Sequence, residues 1–177
     1  RRVIMKILVF GNIGSGKSTL SSVLSNKLNE FELVAIDDFR KRYGDGTMEA
    51  EQVAKRSFYG AIVPEKNQII EVMGAGDTGE ALFETMQSLP EQKLIIILKT
   101  PLEECLLRLK ERQWVVPYPA PPKKAFSLAK ETDPLIRSGA MHRKWLQMSA
   151  CTVIDMDIVT EESLKDLLLI IQDMEQL

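Results

Sequence analysis

The chain alternates short, wholly apolar runs with longer segments in which apolar residues recur every three or four positions. A continuous apolar run predicts a strand covered on both faces, whereas the recurring spacing predicts an amphipathic helix. This alternation predicts an α/β protein in which a parallel sheet lies between two layers of helices. The predicted strands are residues 4–10, 33–36, 68–72, 94–98 and 152–154.

Three segments carry clear helical stripes, and they follow the first, fourth and fifth predicted strands. The last of these helices is predicted to start near Thr160, with acidic residues at its positive end. Because no repeat and no shift in composition divides the sequence, residues 1–177 are expected to form a single domain. The stripes are Leu20-Val23-Leu24-Leu28, Leu102-Cys105-Leu106-Leu109 and Leu164-Leu167-Leu168-Ile171.

A stretch rich in proline follows the second of these helices. Residues 113–125 contain four of the eight prolines in the chain. Proline cannot continue a helix or donate to a strand ladder, so a loop or an extended segment is predicted here. Two uses are open: a lid over a site, formed by residues 113–140, or a ligand for another protein, since Pro119 and Pro122 have suitable spacing.

The composition excludes several classes of protein. The 177 residues carry a net charge of −2, so no large basic field is present to hold a long nucleic acid. Cys105 and Cys151 are too few for a disulfide framework, and no apolar run is long enough to cross a membrane. Because Arg1-Arg2 leads directly into a strand-like segment rather than a signal peptide, we expect a cytoplasmic protein.

One segment carries a complete nucleotide-binding motif. It follows the first predicted strand, opens the first predicted helix and matches G-x-x-x-x-G-K-[ST]. Its glycines let successive backbone N–H groups point at phosphate oxygens, and the helix N-terminus adds partial positive charge. The segment, called the phosphate loop below, reads Gly11-Asn12-Ile13-Gly14-Ser15-Gly16-Lys17-Ser18-Thr19.

The motif assigns roles to its side chains. Lys17 reaches the β- and γ-phosphates of a nucleoside triphosphate, and Ser18 supplies a hydroxyl to Mg²⁺. Thr19 is a weaker candidate for phosphate contact. A dinucleotide-binding fingerprint is excluded, because that fingerprint needs a glycine where Thr19 stands.

Proteins with this loop include GTPases, motor ATPases and small kinases. A GTPase needs N-K-x-D and, after its third strand, D-x-x-G, and this sequence has neither. A motor ATPase normally has a strand that ends in Asp-Glu or Asp, whereas the third predicted strand here ends in the single acid Glu71. The sequence therefore favours a small kinase.

Two aspartates and an arginine follow the second predicted strand. Ligands bind at the carboxyl ends of parallel strands, so we expect these side chains to face the transferring phosphate. Asp37 is the expected base toward an acceptor hydroxyl, or a group that positions Mg²⁺. Arg40 is expected to bind a phosphate or carboxylate of the substrate. Alternatively, Asp37 or Asp38 caps a helix that begins near Phe39.

Glu71 closes the third predicted strand and precedes Gly74-Ala75-Gly76. A glutamate at this strand end is suited to orient the waters of Mg²⁺ or the acceptor. The glycines would let a substrate approach the backbone closely. The alternative is a solvated acid before a flexible turn.

Four arginines lie on either side of the Pro-rich stretch. Arg108 and Arg112 are expected on one face of the helix that runs into it, where they would stack on a base and clamp phosphates. The alternative for Arg108 is an exposed ion pair with Glu104. Beyond the Pro-rich stretch, either Arg137 or Arg143 is expected to close on the phosphates.

Taken together, residues 7–154 resemble the P-loop kinase family that includes adenylate kinase, shikimate kinase and the kinase domain of 5′-hydroxyl polynucleotide kinases. Asp37-Asp38-Phe39-Arg40 is similar to the Asp-Asp-aromatic-Arg run of the polynucleotide kinases. In that run the first Asp is the base and the Arg contacts the acceptor phosphate. The segment around Arg108 is similar to the family's lid entry, where an arginine packs on adenine. Arg143-Lys144-Trp145 is similar to the segment that carries a further active-site arginine.

The resemblance implies a fold, an activity and cofactors. It implies a five-stranded parallel sheet in the order 2-3-1-4-5 with a lid, and ATP with Mg²⁺ as cofactors. It also implies transfer of the γ-phosphoryl group to a small acceptor, with a nucleotide, a nucleoside or a related metabolite as the leading class. A nucleotide-binding switch that acts on a protein partner, or a 5′-hydroxyl polynucleotide kinase, is the alternative. The oligomeric state is left open.

Overall fold

The computed structural model of the protein describes residues 3–176. Arg1 and Arg2, on which the expected absence of a signal peptide rests, lie outside the described residues, as does Leu177. The strands are β1 (Met5–Gly11), β2 (Glu32–Ala35), β3 (Gln68–Glu71), β4 (Gln92–Leu98) and β5 (Cys151–Met156). The helices are α1 (Lys17–Lys27), α2 (Ile36–Tyr43), α3 (Met48–Gly60), α4 (Gly76–Gln87), α5 (Leu102–Glu111), α6 (Pro122–Arg137), α7 (Ala140–Leu146) and α8 (Glu161–Glu175).

The five strands form one parallel sheet in the order β2-β3-β1-β4-β5, which confirms the predicted fold class and topology. β1 lies at the centre of the sheet and pairs with β3 on one side and β4 on the other. Each predicted strand is found to within two residues at either end. The carboxyl ends of β1, β2 and β3 therefore meet at one edge, where ligands bind in sheets of this kind.

Alternate side chains of each strand enter two separate cores. Leu8 and Phe10 of β1 lie in the core formed with α3, α4, α6 and α7. Ile7 and Val9 lie in the opposite core, formed with α1 and α8. Because helices cover both faces of the sheet, its strands read in the sequence as continuous apolar runs.

The predicted helical stripes are confirmed, as α8 illustrates. This helix begins after Thr160, whose hydroxyl accepts from the backbone N–H of Ser163 in a capping box. Leu167 and Ile171 are buried against the sheet, as their spacing predicts. No helix within residues 3–176 is long and apolar enough to span a bilayer.

Two helices begin earlier than predicted. α2 begins at Ile36, directly after β2, rather than near Phe39. Asp37 and Asp38 therefore lie in its first turn, where negative charge stabilises a helix, and neither residue caps it. α6 begins at Pro122, inside the stretch predicted to be irregular, because the first helical position needs no N–H donor. The irregular Pro-rich segment is thus residues 112–121.

Candidate active site

The phosphate loop connects the end of β1 to the start of α1, as the motif predicts. Gly14 and Gly16 have φ angles of 79° and 93°, in the left-handed region that favours glycine. A Cβ atom at Gly14 would lie 2.6 Å from the carbonyl oxygen of Cys105. The loop therefore packs against α5 at a distance that only glycine permits.

Hydrogen bonds from neighbouring segments hold this loop in place. The Thr100 hydroxyl donates to the carbonyl of Ser15 at 2.7 Å. The Asn12 side chain is buried, and its amide donates to the carbonyl of Ala129 in α6 at 2.8 Å. Asn12, which the motif treats as a variable position, thus ties the phosphate loop to the helix that follows the Pro-rich segment.

The charges of two acids and two arginines from separate parts of the chain act on Lys17. Burial lowers the pKa of its ammonium group, and the negative charges of Glu71 and Asp37 oppose that effect. The positive charges of Arg112 and Arg40 lower the same pKa further. The structure therefore brings together the residues that the sequence assigns to the phosphates and to the acceptor.

Glu71 is a buried acid in the sheet, with 4% of its surface exposed, so it is not a solvated strand end. Its carboxylate accepts hydrogen bonds from the hydroxyls of Ser18, at 3.0 Å, and of Ser21. Ser21 was not singled out from the sequence. Its position three residues after Ser18 on α1 is the only signal that it shares this face.

The oxygen atoms of Ser18 and Glu71 fit a magnesium ion. Mg²⁺ prefers oxygen ligands, keeps several waters and is usually held by one or two carboxylates together with substrate phosphates. Among the described residues, no three histidine, cysteine or acidic side chains form a cage for a metal ion. The site therefore suits a metal that arrives with a triphosphate rather than one bound by protein alone.

The residues predicted to face the acceptor form an ion-pair cluster centred on Arg40. Its guanidinium donates to Asp37 at 2.9 Å and to both carboxylate oxygens of Glu51, the closer at 2.9 Å. Burial alone would lower the pKa of Arg40, but the bonds to Glu51 and Asp37 outweigh it and raise that pKa. Arg112 approaches the other oxygen of Asp37 at 3.8 Å. Asp37 therefore faces two arginines.

Glu51 is a site residue that the sequence does not reveal. It lies on α3, eleven positions after Arg40, and is 4% exposed. Its two carboxylate oxygens clamp one guanidinium, a geometry that fixes orientation as well as charge. No local motif marks this glutamate, because its partner lies on a different helix.

A cavity of about 610 Å³ lies beside the phosphate loop, on the side of α1. Arg108 and Thr19 line it, as do Ile158 and Val159 from the segment after β5. The Arg108 guanidinium donates to the carbonyl of Gly14 at 3.2 Å and pairs loosely with Glu104. The segment after β5 was not predicted to contribute, because it carries no motif.

The arginines around the lid occupy different places. Arg112 follows the end of α5 in an extended conformation, so it does not share a helix face with Arg108 as predicted. The helix ends there because the Pro-rich segment begins. Arg137 donates to the carbonyl of Thr100, which in turn holds the phosphate loop, at 2.9 Å. Arg143 is exposed on α7 and donates to the carbonyl of Ser138.

The glycines after β3 do not have the single role expected of them. A Cβ atom at Gly74, where φ is 85°, would lie 2.4 Å from the Phe10 ring. Gly74 therefore makes room for a core aromatic side chain rather than for a substrate. At Gly76 the space for a Cβ atom is open.

The fold and the phosphate loop define a P-loop nucleotide-binding protein. Residues 7–117 match the family model described as an AAA domain. Because this match includes more than half of the chain, the protein belongs to that family. No curated protein matches the sequence.

Solved structures that share this fold include two kinases and a chain of an RNA repair complex. A shikimate kinase from Bacteroides thetaiotaomicron is similar over 100% of both chains, with 13% identity and a TM-score of 0.55. A gluconokinase from Sinorhizobium meliloti is similar over 99% of this chain and 96% of its own, with 15% identity and a TM-score of 0.61. A chain of the Pnkp1/Rnl/Hen1 RNA repair complex is 19% identical, with a TM-score of 0.63, over 78% of this chain and 46% of that one. The resemblance to P-loop kinases is therefore confirmed at the level of the fold.

Proposed function

We propose that this protein is an ATP-dependent phosphotransferase that moves the γ-phosphoryl group to a small acceptor. The observation that carries the proposal is that Arg40 and Arg112 both contact Asp37, and that the charges of these three residues act on Lys17 of the phosphate loop. One side of the candidate site is a phosphate loop, and the other presents a carboxylate between two guanidinium groups. That combination suits in-line transfer between two bound substrates.

The phosphate loop, residues 11–19, would bind the triphosphate of ATP. Its backbone N–H groups and Lys17 would hold the phosphate oxygens, with the adenine in the cavity beside Arg108. Ser18 and Glu71 would hold Mg²⁺, directly or through water, and Asp37 would be a third oxygen ligand. When bound, Mg²⁺ would neutralise charge that develops on the phosphate oxygens.

Asp37 would act as the base toward the acceptor. The acceptor oxygen forms a bond to the γ-phosphorus while the bond to the oxygen bridging the β-phosphate breaks, and ADP leaves. The proton of an acceptor hydroxyl passes to the Asp37 carboxylate. Arg40 and Arg112 would orient the acceptor and stabilise negative charge on the phosphoryl group during transfer. Arg137 or Arg143 would add a further positive charge near that group.

The acceptor class is proposed on separate grounds from the reaction. The similar structures include a shikimate kinase and a gluconokinase, so proteins of this fold act on unlike acceptors. We propose a nucleotide, a nucleoside or a related metabolite. The net charge of −2 argues against a long nucleic acid. Residues 1–177 would form one cytoplasmic domain with residues 113–140 as its lid.

The test measures ADP production from Mg-ATP with a panel of acceptors: nucleosides, nucleoside monophosphates, gluconate, shikimate and a 5′-hydroxyl oligonucleotide. We expect one class to stimulate turnover. Asp37→Asn should lower kcat by about a hundredfold or more while ATP affinity is retained. Asp38→Asn, at the exposed neighbouring position, is the matched control and should leave the rate unchanged. Firm ATP binding with no stimulation by any acceptor would contradict the proposal and favour a nucleotide-dependent switch.

A further inference from the structure

A second cavity, of about 650 Å³, lies on the acceptor side of the molecule. Its walls are the turn after α2, the Pro-rich segment and the first half of α6. Two aromatic side chains of the Pro-rich segment, Trp114 and Tyr118, line it, and each is 42% exposed. Large aromatic rings that remain half exposed in a cavity wall offer flat apolar surface to a ligand.

The same two rings are linked to the candidate base through arginines. The Arg40 guanidinium lies 4.8 Å from the centre of the Tyr118 ring and donates to Asp37 at 2.9 Å. The Arg112 guanidinium lies 5.2 Å from the centre of the Trp114 ring and pairs with the other oxygen of Asp37. Each arginine thus joins a ring of the cavity to the carboxylate, so the cavity adjoins the place where the acceptor would react.

The length of α2 indicates how large a ligand must be to reach from the cavity to Asp37. Asp37 lies in the first turn of α2, and Asp45, just beyond its end, lines the cavity. At the helical rise of 1.5 Å per residue, the eight-residue step from Asp37 to Asp45 spans roughly 12 Å. A ring held by Trp114 and Tyr118 would therefore need a short linker to bring its reacting group to Asp37.

The charged residues around the cavity indicate which kind of ligand ring it would bind. Its charged lining residues are Asp45, Glu131 and Lys124, and the guanidinium groups of Arg40 and Arg112, both paired with Asp37, lie against its two rings. Carboxylates accept hydrogen bonds. Asp45 and Glu131 therefore favour a ring that donates hydrogen bonds.

We propose that Trp114 and Tyr118 form the subsite that binds the acceptor ring and determine which acceptors this protein uses. The ring is a nitrogen heterocycle with an amino group, joined by a sugar-sized linker to the hydroxyl or phosphate that faces Asp37. This inference rests on the proposed function, because it assigns the acceptor of the same reaction. It predicts poor transfer to non-aromatic acceptors such as shikimate and gluconate, which cannot stack on the two rings.

Tryptophan fluorescence tests ring binding without turnover. The chain has two tryptophans, and Trp145 is 1% exposed, so a ligand that stacks on Trp114 quenches one identifiable emitter. The probes are cytidine and adenosine, added after the donor site has been saturated with a non-hydrolysable ATP analogue and Mg²⁺. We expect saturable quenching that Trp114→Phe abolishes. Quenching that is absent, or that persists unchanged in Trp114→Phe, would overturn the inference.

Steady-state kinetics supply the second readout. Trp114→Ala and Tyr118→Ala should each raise the KM for the ring-bearing acceptor about tenfold, since stacking on one base contributes an effect of that order. The KM for ATP should stay unchanged. Val115→Ala is the matched control, because Val115 is 67% exposed in the same segment and does not line the cavity.

The outcomes separate this inference from the proposed function. Transfer to shikimate or gluconate that Trp114→Ala leaves intact would overturn the inference and keep the phosphotransferase. Saturable quenching by nucleosides, with no transfer to any acceptor, would support the ring subsite and contradict the phosphotransferase.

Discussion

The nucleotide side and the acceptor side of the candidate site are built in different ways. The phosphate loop is held mainly through its own backbone: the carbonyls of Ser15 and Gly14 accept hydrogen bonds from Thr100 and Arg108. The acceptor side is held by charged side chains, with Arg40 clamped between Asp37 and Glu51. The first arrangement fixes a shape, whereas the second fixes a charge pattern.

This difference bears on what each side can tolerate. A phosphate loop binds phosphate through backbone N–H groups, and a change of side chain leaves these groups in place. Its one lysine is therefore the side chain on which phosphate binding depends most. An ion-pair cluster depends on every member, because removal of one partner leaves a buried charge uncompensated. We therefore expect losses on the nucleotide side to concentrate at Lys17, and losses on the acceptor side to spread through the partners of Arg40.

The largest effect is expected from Lys17→Ala. This change removes the cation that faces the phosphates, so ATP affinity should fall by about a hundredfold or more. Because burial disfavours the Lys17 charge, as its lowered pKa indicates, the variant should unfold at the same temperature or higher. Calorimetric titration with Mg-ATP and a thermal melt measure the two quantities.

The matched control for that change is Lys27→Ala, at the exposed end of the same helix. It should leave both ATP affinity and stability unchanged. If Lys17→Ala bound ATP as tightly as the parent protein, the role of the phosphate loop assigned here would be wrong.

A smaller effect is expected from Glu51→Gln on the acceptor side. The amide keeps the shape of Glu51 but loses the charge that orients Arg40, and hydrogen bonds to charged groups contribute about 1.5–3 kcal/mol. The kcat/KM for the acceptor should therefore fall by about tenfold to a hundredfold, while ATP affinity is retained. Glu49→Gln, at an exposed position of α3, is the control.

Equal losses in ATP affinity and in acceptor kcat/KM would contradict this prediction. They would mean that Glu51 supports the fold as a whole rather than the orientation of Arg40. A melting temperature measured on the same samples shows how far stability alone has changed.

The two sides also differ in how much of them could be predicted from the sequence. β1, the phosphate loop and α1 are contiguous, so their order and the roles proposed for Lys17 and Ser18 follow from local spacing. The ion pair of Glu51 with Arg40 joins two helices, and Ile158, which follows β5, lines the cavity beside the phosphate loop. Contacts of this kind depend on how elements pack, which no local pattern records.

Two predictions from local sequence were wrong because a helix ends or begins at a different residue than expected. Arg112 was expected to continue the helical face of Arg108, but the Pro-rich segment ends α5 before it. Pro122 was expected to extend the irregular segment, yet it starts α6, because proline is accepted in a first helical turn. In both places the position of a helix end, rather than the residue type, decided the outcome.

The smallest effect is expected at Asp155, which lies on β5. Burial alone would raise the pKa of Asp155, but hydrogen bonds and charge from His142 and Lys99 outweigh it, and its pKa lies below the ordinary value of 3.8. A carboxylate whose pKa is lower in the folded state stabilises that state above the unfolded pKa. This stabilisation is lost as the pH falls below about 4 and through the folded pKa.

Asp155→Asn should therefore cost less than about 1 kcal/mol of unfolding free energy at pH 5, as expected of a partly exposed ion pair. At pH 2.5 the cost should shrink, because the carboxylate of the parent protein is then being protonated. Urea denaturation at both values measures it, and Asp173→Asn, exposed on α8, controls for general charge. A cost that stays constant between the two values would show that Asp155 stabilises β5 by packing and not by its charge.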